Sequence, residues 1–353
     1  MRIIHTADIH IGSKMQTHLS REKAKERMRE ISDSFARMVA YAKREGVSAI
    51  LLAGDVFDSD CPTVREKDFF YDTVREASDI EFYYLRGNHD NRTQSEEDVS
   101  NLHRFGESWT SYEQEDVCIT GIELKDSNAS SLHATLSLDP AKKNIVMLHA
   151  GIGSTPDVQT LRLASFENKG IDYLALGHIH SHEIGRLDTR ATYAYSGCLE
   201  GRGFDEMGEK GFLLLDTEEG FTPRFVPFAK RTVHEITVDV STCTGVPQVI
   251  AMLDGMLMGM ESDLARVYLI GAVDFEQEGM RERIESALSC RVYCLSVKDK
   301  THRRVDLDAL ENELSLRGEF IRRVRQSDGY SDEEKDKIIE LGLRALRGEE
   351  LSV

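Results

Sequence analysis

Five short apolar runs in this chain each lead directly into Asp, Asn or His, and that repetition limits the possible folds more than any other feature. Ile3-Ile4 precedes Asp8; Ser48 to Ala53 (SAILLA) precedes Asp55; Glu81 to Leu85 (EFYYL) precedes Asn88; Asn144 to Leu148 (NIVML) precedes His149; Asp172 to Leu176 (DYLAL) precedes His178. Runs this short, rich in β-branched, aromatic and aliphatic residues, read as strands buried on both faces. In open α/β sheets the carboxyl edge of the strands is where ligands bind, so the five polar clusters are expected on one edge. Between the first two runs, Ile31, Phe35, Met38 and Ala42 recur at helical spacing within a charged stretch from Ser20 to Glu45. That pattern predicts an amphipathic crossover helix. The order is β-α-β, and the fold class is α/β.

The residue types at those strand ends match a two-metal phosphoester-cleaving site. Two divalent ions about 3.5–4 Å apart clamp the attacking and leaving oxygens of an in-line displacement, and their repulsion calls for a carboxylate between them. Asp55 is the natural bridge. Mixed imidazole and carboxylate ligands point to Mn, Fe or Zn rather than Mg or Ca. Asp8, His10, Asp55 and His180 are assigned to one ion, and Asp55, Asn88, His149 and His178 to the other. His89 is left over as a candidate proton donor or transition-state contact. Asp90 follows it directly and is expected to orient it. Asp58 reads either as a turn carboxylate capping the next helix or as a group holding substrate or metal ligands.

The series DIH, GDVFD, GNHD, H and GHIH resembles the calcineurin-like metallophosphoesterase superfamily. HTADIHIG and LLAGDVFDS resemble its SbcD branch, the meiotic-recombination-eleven type DNA nucleases. The resemblance covers roughly residues 1–230. It implies the ligand assignment above with His89 as the catalytic histidine, a four-layer β-sandwich flanked by helices, and Mn-dependent nuclease activity. It also implies a homodimer that works with an SbcC-like coiled-coil ABC ATPase. Protein phosphatases of the superfamily carry an Arg soon after the second-motif Asp and a Glu after the Asn-His pair; here VFDSD and Asp90 stand there, which disfavours that activity. Tyr195 to Arg202 (YSGCLEGR) resembles the family's glycine-containing loop, with Arg202 a candidate phosphate contact. The alternative activity is hydrolysis of a small nucleotide or phospholipid ester.

At 353 residues more than one domain is expected. The residues divide into a metallophosphoesterase domain (1–230), a small α/β cap (231–300) and a helical partner-binding tail (301–353). The cap reads as β-α-β-α-β, with strands near Ile236–Val240, Ala265–Val273 and Arg291–Val297 and helices near Val246–Met260 and Met280–Leu288. Met252, Met256, Met258 and Met260 read as core filler rather than an adaptable binding surface. In the tail, Leu307, Leu310, Leu314, Ile321 and Val324, then Ile339, Leu343 and Leu346 behind a Ser331–Glu334 capping box, predict two amphipathic helices. SLRGEF and LGLRALRGEE resemble the tails of SbcD-like and YhaO-like bacterial members.

No run approaches a membrane span, and the first residues read as a strand rather than a secretion signal, so a cytoplasmic protein is expected. Six Cys without CxxC spacing fit reduced thiols. A net charge of −18 is unusual for a DNA enzyme, because neutralising phosphates supplies most non-specific affinity. His103, Arg104, Arg202, Arg224 and Lys230 are the candidates for part of a DNA path, with the ATPase supplying much of the rest.

Overall fold

The computed structural model describes residues 1–15, 19–59, 61–90, 97–155, 157, 159–218, 220–304 and 307–346, with only the backbone of Arg344. The last residues of LGLRALRGEE fall outside this set. Two compact units result: the first comprises Met1–Ile236, Leu257–Arg266 and Ser289–Ser296, the second Thr237–Met256, Val267–Leu288 and Val297–Val353.

In the first unit, β1 (Arg2–Thr6), β2 (Ala49–Ala53), β3 (Glu81–Leu85) and β4 (Leu102–Arg104) run parallel, with Ile4 beside Ile50, Leu51 beside Tyr83 and Phe82 beside Leu102. β13 (Gly211–Asp216) and β14 (Arg224–Pro227) add antiparallel strands, giving the order β14-β13-β1-β2-β3-β4. A second six-stranded sheet has the order β11-β12-β10-β7-β6-β5, where β5 is Thr110–Gln114, β6 Val117–Gly121, β7 Lys143–His149, β10 Tyr173–Gly177, β11 Glu183–Arg186 and β12 Thr192–Tyr195. Its four central strands are parallel. A small parallel pair, β8 (Gly151–Ile152) and β9 (Thr160–Leu161), and the short α3 (Leu132–Thr135) complete the connections.

The unbroken apolar runs are explained by two-sided burial. Ile3, Leu51 and Tyr83 of the first sheet meet Ile119, Ile145, Met147 and Tyr173 of the second in one core. Their neighbours Ile4, Ile50, Leu52 and Phe82 point the other way, onto Ile31, Phe35, Met38, Phe70 and Val74 of α1 (Arg21–Arg44) and α2 (Val64–Arg75). Val146, Leu148, Leu174 and Leu176 pack outward against Leu132 and Phe166. Each such side chain contributes about 1.5–3 kcal/mol of burial. The two sheets and the helices facing them form the expected four-layer α/β sandwich. The predicted crossover helix is present, started by Ser20, whose hydroxyl accepts from the Lys23 amide.

The strands and helices expected after residue 230 are found as β15 (Val233–Asp239), α4 (Val246–Met256), β16 (Leu264–Ile270), α5 (Met280–Ala287) and β18 (Cys294–Asp299), with β15, β16 and β18 in one sheet. β17 (Ala272–Val273) and β19 (His302–Arg303) pair separately. Core-filling methionine was the wrong reading for part of the set: α4 buries Val246, Val249 and Leu253, while Met256 and Met258 are exposed. Among its described residues the tail forms three helices rather than two, α6 (Leu307–Glu311), α7 (Leu316–Arg325) and α8 (Asp332–Leu346). Ser315 caps α7 through the Gly318 amide and leaves Leu314 fully exposed, which breaks the expected first helix. Ile321, Ile339 and Leu343 form a small core with Leu307, Leu310, Phe320 and Val324, so the tail's stripes largely bury one another.

Candidate metal centre

All seven proposed ligands lie within the first unit, where the carboxyl ends of β1, β2, β3, β7 and β10 meet. The backbone is bent sharply there. Asp8, His10, Asp55 and His178 all have left-handed φ values, of 51°, 53°, 51° and 93°. Such conformations cost on the order of 1–3 kcal/mol each for non-glycine residues and persist only where the surroundings enforce them. The surroundings here are backbone hydrogen bonds, from Asp8 N to Gly54 O at 2.9 Å and from His10 N to Asp55 O at 3.0 Å. Two glycines permit the close approach: a Cβ on Gly54 would fall 2.1 Å from His149 Nδ1, and one on Gly87 2.1 Å from Asp55 Oδ1.

Two groups of converging ligand atoms result, Asp8 with His10 and His180, and Asp8 with Asp55 and His149. Asp55 Oδ2 is 3.3 Å from His149 Nε2 and 4.0 Å from His10 Nε2, so one oxygen faces both histidines. Asn88 Oδ1 lies 3.2 Å from both His149 Nε2 and His178 Nδ1. His180 Nε2 is 3.7 Å from Asp8 Oδ1 and 3.4 Å from His10 Nε2.

The imidazoles are prepared as ligands by what holds their other nitrogens. His149 Nδ1 is 2.8 Å from the Ala53 carbonyl, which only accepts, so Nδ1 carries a proton and Nε2 is the nitrogen turned to Asp55. His180 Nδ1 meets Glu206 Oε1 at 2.7 Å, and His10 Nδ1 meets Asp58 Oδ1 at 3.1 Å. Anchoring of this kind is typical of metal-ligating histidine. Carboxylates and imidazole nitrogens therefore face one another, and a divalent cation, displacing the proton held between His149 and Asp55, is the group that such a donor set fits.

Burial works against the charge on His149, but the hydrogen bond it donates to Asp55 and the charges of Asp8 and Asp55 outweigh it and push the imidazole up to about 9. Asp55 is likewise opposed by burial yet drawn down to about 2 by its contacts with His149, the His89 amide and His10. Burial lowers His10 and His178.

His89 is exposed, with its amide 2.8 Å from Asp55 Oδ1, its Nδ1 3.2 Å from the Asp58 carbonyl and its ring 5.1 Å from that of His10. The carbonyl, which only accepts, fixes a proton on Nδ1. Asp90 does not orient it, contrary to expectation. Its buried carboxylate accepts instead from the amides of Val56, Phe57 and Gly87 at 2.8–3.2 Å, binding the second and third motif loops together. Burial and the nearby Asp55 charge push Asp90 up to about 6.

Asp58 does not cap α2. Thr63 does that, in a capping box with Glu66, while Asp58 holds His10 and Arg202. Arg202 is engaged by carboxylates: Nη1 lies 2.9 Å from Asp58 Oδ1 and Nη2 2.7 Å from Glu206 Oε1. Glu206, which ties both His180 and Arg202, was missed from sequence; its only signal was an acidic residue four positions after Arg202. The expected basic path does not assemble. His103 and Arg104 lie on β4 and Arg224 on β14, opposite edges of the first sheet, while Lys230 pairs with Glu30 at 2.9 Å and His103 with Glu81 at 2.7 Å.

Two groups of Asp and His ligand atoms that share Asp8, with Asp55 facing His10 and His149, at the carboxyl edge of a double-sheet sandwich, define a metal-dependent phosphoester hydrolase. Residues 1–182 match the calcineurin-like phosphoesterase family, and the chain belongs to it. Over 373 residues it is 25% identical to a DNA double-strand break repair protein Mre11 of Sulfolobus acidocaldarius, covering 97% of this chain and 94% of that one. It is 28% identical over 242 residues to the metallophosphoesterase YhaO of Bacillus subtilis, covering 62% and 58% of the two chains. Over 94 residues it is 33% identical to the SbcD component of the SbcCD nuclease of the same organism, covering 26% and 22%. No helix among the described residues is long and apolar enough to cross a membrane.

Proposed function

We propose that this chain is a two-metal DNA nuclease, hydrolysing phosphodiester bonds as an exonuclease and endonuclease during break repair or DNA-end processing. The observation that carries this reading is Asp55, one oxygen of which faces His10 and His149 at once. Asp8, His10, Asp55 and His180 would hold one ion and Asp55, Asn88, His149 and His178 the other, with Mn the metal best suited to this mixed donor set. Two such ions, when bound, supply Lewis-acid activation of water and a clamp on the reacting phosphate. The chain's own residues do the rest. Asp58 and Glu206 hold the ring nitrogens of His10 and His180 that face away from the ions. His89, its Nδ1 proton committed to the Asp58 carbonyl, stabilises the departing oxygen or protonates it from Nε2 as it leaves.

The cap and tail residues support action on a macromolecule over a small nucleotide or phospholipid ester. In the tail, Leu314, Leu316, Leu341 and Leu346 remain exposed beside the internal core, as an apolar surface for helix docking would. The partner we infer is an SbcC-like coiled-coil ATPase, which would also add to the DNA affinity that a net −18 chain lacks; a cytoplasmic homodimer is the working assembly. The deciding experiment compares Mn-dependent hydrolysis of single-stranded, hairpin and blunt-ended DNA with that of small phosphate esters. Cleavage of DNA at a far higher kcat/KM supports the nuclease; small-ester turnover with intact DNA refutes it. Deletion of residues 305–353 should keep hydrolysis by the isolated protein and abolish co-purification with the ATPase.

A further inference from the structure

Beside the metal centre lies a cavity of about 610 Å³ whose lining includes Ser13, Lys14, Ser59, Arg202, Phe204 and Arg266, all in the first unit. It shares its wall with the catalytic end: Asp58 and Glu206 also line it, and these are the carboxylates that hold His10 and His180. Those two are already matched by Arg202 and the histidines, and Asp205, the remaining acid in the lining, is exposed to solvent. Among the described lining residues, Lys14 and Arg266 then set two positive charges against Asp205.

Arg266 differs from Arg202 and Arg231, which each grip carboxylates. Arg266 has no carboxylate partner among the described residues. Its guanidinium stacks on the Phe204 ring at 4.6 Å from the centroid and donates from Nη1 to the Phe204 carbonyl at 3.3 Å, while its buried Nε has no acceptor. Stacking holds the plane of the fork, and a buried guanidinium donor without an acceptor is costly unless a ligand completes it. The wall opposite is equally preset: Met15 has a left-handed φ of 42°, and Gly12, at 90°, approaches Glu66 so closely that a Cβ would fall 2.7 Å from its carboxylate oxygen.

The geometry points to this cavity as a subsite for a second phosphate of the substrate strand, flanking the one cleaved, with Arg266 as its fork and Lys14, Ser13 and Ser59 as the surrounding donors. This rests on the proposed nuclease function and specifies where the strand continues from the metal centre. It assigns Arg266 a positioning role: the flanking phosphate fixes where along the strand the scissile bond falls.

The test is calorimetric binding of thymidine 3′,5′-bisphosphate, thymidine 5′-monophosphate and thymidine 3′-monophosphate to the full chain with Mn present, for wild type, Arg266→Gln and Arg266→Lys. The wild type should prefer the bisphosphate to the better monophosphate by about tenfold, the scale of one charge-assisted contact; Arg266→Gln should erase the preference and Arg266→Lys recover part of it. With oligonucleotides the same Gln variant should reduce the salt slope of binding by about 0.7, the value for one phosphate contact on a single strand. A methyl ester on the flanking phosphate identifies its source: a retained preference means a backbone diester, a lost one a terminal phosphate. If the bisphosphate gains nothing, or if Arg266→Gln keeps both the preference and the slope while melting like wild type, the subsite is wrong even where DNA is cleaved. If the preference depends on Arg266 but no strand is cleaved, the subsite stands and the nuclease reading falls.

Discussion

Arg27 and Asp8 are both buried ionisable side chains of the first compact unit, 0% and 1% exposed, yet their surroundings are opposite in kind. Arg27 donates to Glu30, to the Gly201 carbonyl at 2.6 Å and to Glu200 at 3.4 Å; Glu30 in turn takes Arg231 at 2.7 Å and Lys230 at 2.9 Å, and Glu200 takes Ser34 at 2.5 Å. Every charge there meets its opposite. Around Asp8 are a second carboxylate and four histidines with nitrogens turned inward, on a backbone forced repeatedly to positive φ. One cluster pairs its carboxylates with cations, although Arg27 Nε has no acceptor, and joins α1 to the loop carrying Arg202 and Glu206. The other makes physical sense only around cations, and the strain it stores is what preorganises a site.

That contrast is broken most severely at His89. His89→Ala should lower DNA cleavage by on the order of 10²–10⁴ with metal content unchanged, the usual share of a positioned acid or base. His178→Ala should also lose activity but regain part of it in excess Mn. Equal rescue of both variants would make His89 a ligand and sink its proposed role.

In the balanced cluster the loss should be of stability rather than chemistry. Arg27→Met strands Glu30 and Glu200 and should cost about 3–5 kcal/mol, the penalty for removing one partner of a buried ion group; denaturant unfolding measures it. A variant as stable as wild type would show that the network is dispensable.

Gly87→Ala sharpens the comparison from the other side. The added methyl would collide with Asp55 Oδ1, so cleavage should fall by roughly 10², the effect of a displacement of about 1 Å at a reacting centre, while the melting temperature stays close to wild type. Unchanged kinetics would mean that the loop yields freely.

The smallest effect is in pH. Glu30 is opposed by burial but held down to about 2 by Arg231, Lys230 and Arg27, against an ordinary value of 4.5. A depressed carboxylate contributes stability above the unfolded value that is lost as pH falls through the folded one, so wild type should lose stability relative to Glu30→Gln between about pH 4.5 and 2. Glu200 is shifted the opposite way, raised by burial, and so does not add to this loss. Parallel stability curves for the two proteins would refute the assignment.

The metal-facing residues were legible in the sequence because their signal is local: a strand must end and a ligand must follow within a few residues, as Asp8, Asp55 and His149 do. The strands themselves could be read because burial on both faces leaves no polar alternation. What escaped was set by long-range pairing. Arg202 meets Asp58 across 144 positions and Arg27 meets Gly201 across 174, and no spacing rule predicts either. Asp90 was misjudged because adjacency to His89 suggested a partner, whereas its carboxylate turns to the backbone amides of a loop more than thirty residues earlier. The tail misled for a local reason, a Ser315 cap falling inside an otherwise continuous apolar periodicity.

The central claim is that Asp55 joins two ions in one site, and metal content tests it most directly. Purified full-length protein equilibrated with Mn and freed of excess should retain two ions per chain, and Asp55→Ala should lose both while keeping a cooperative unfolding transition, because two like charges would then face each other without the bridging carboxylate. Two ions retained by Asp55→Ala, or a single ion bound by the wild type, would contradict the account.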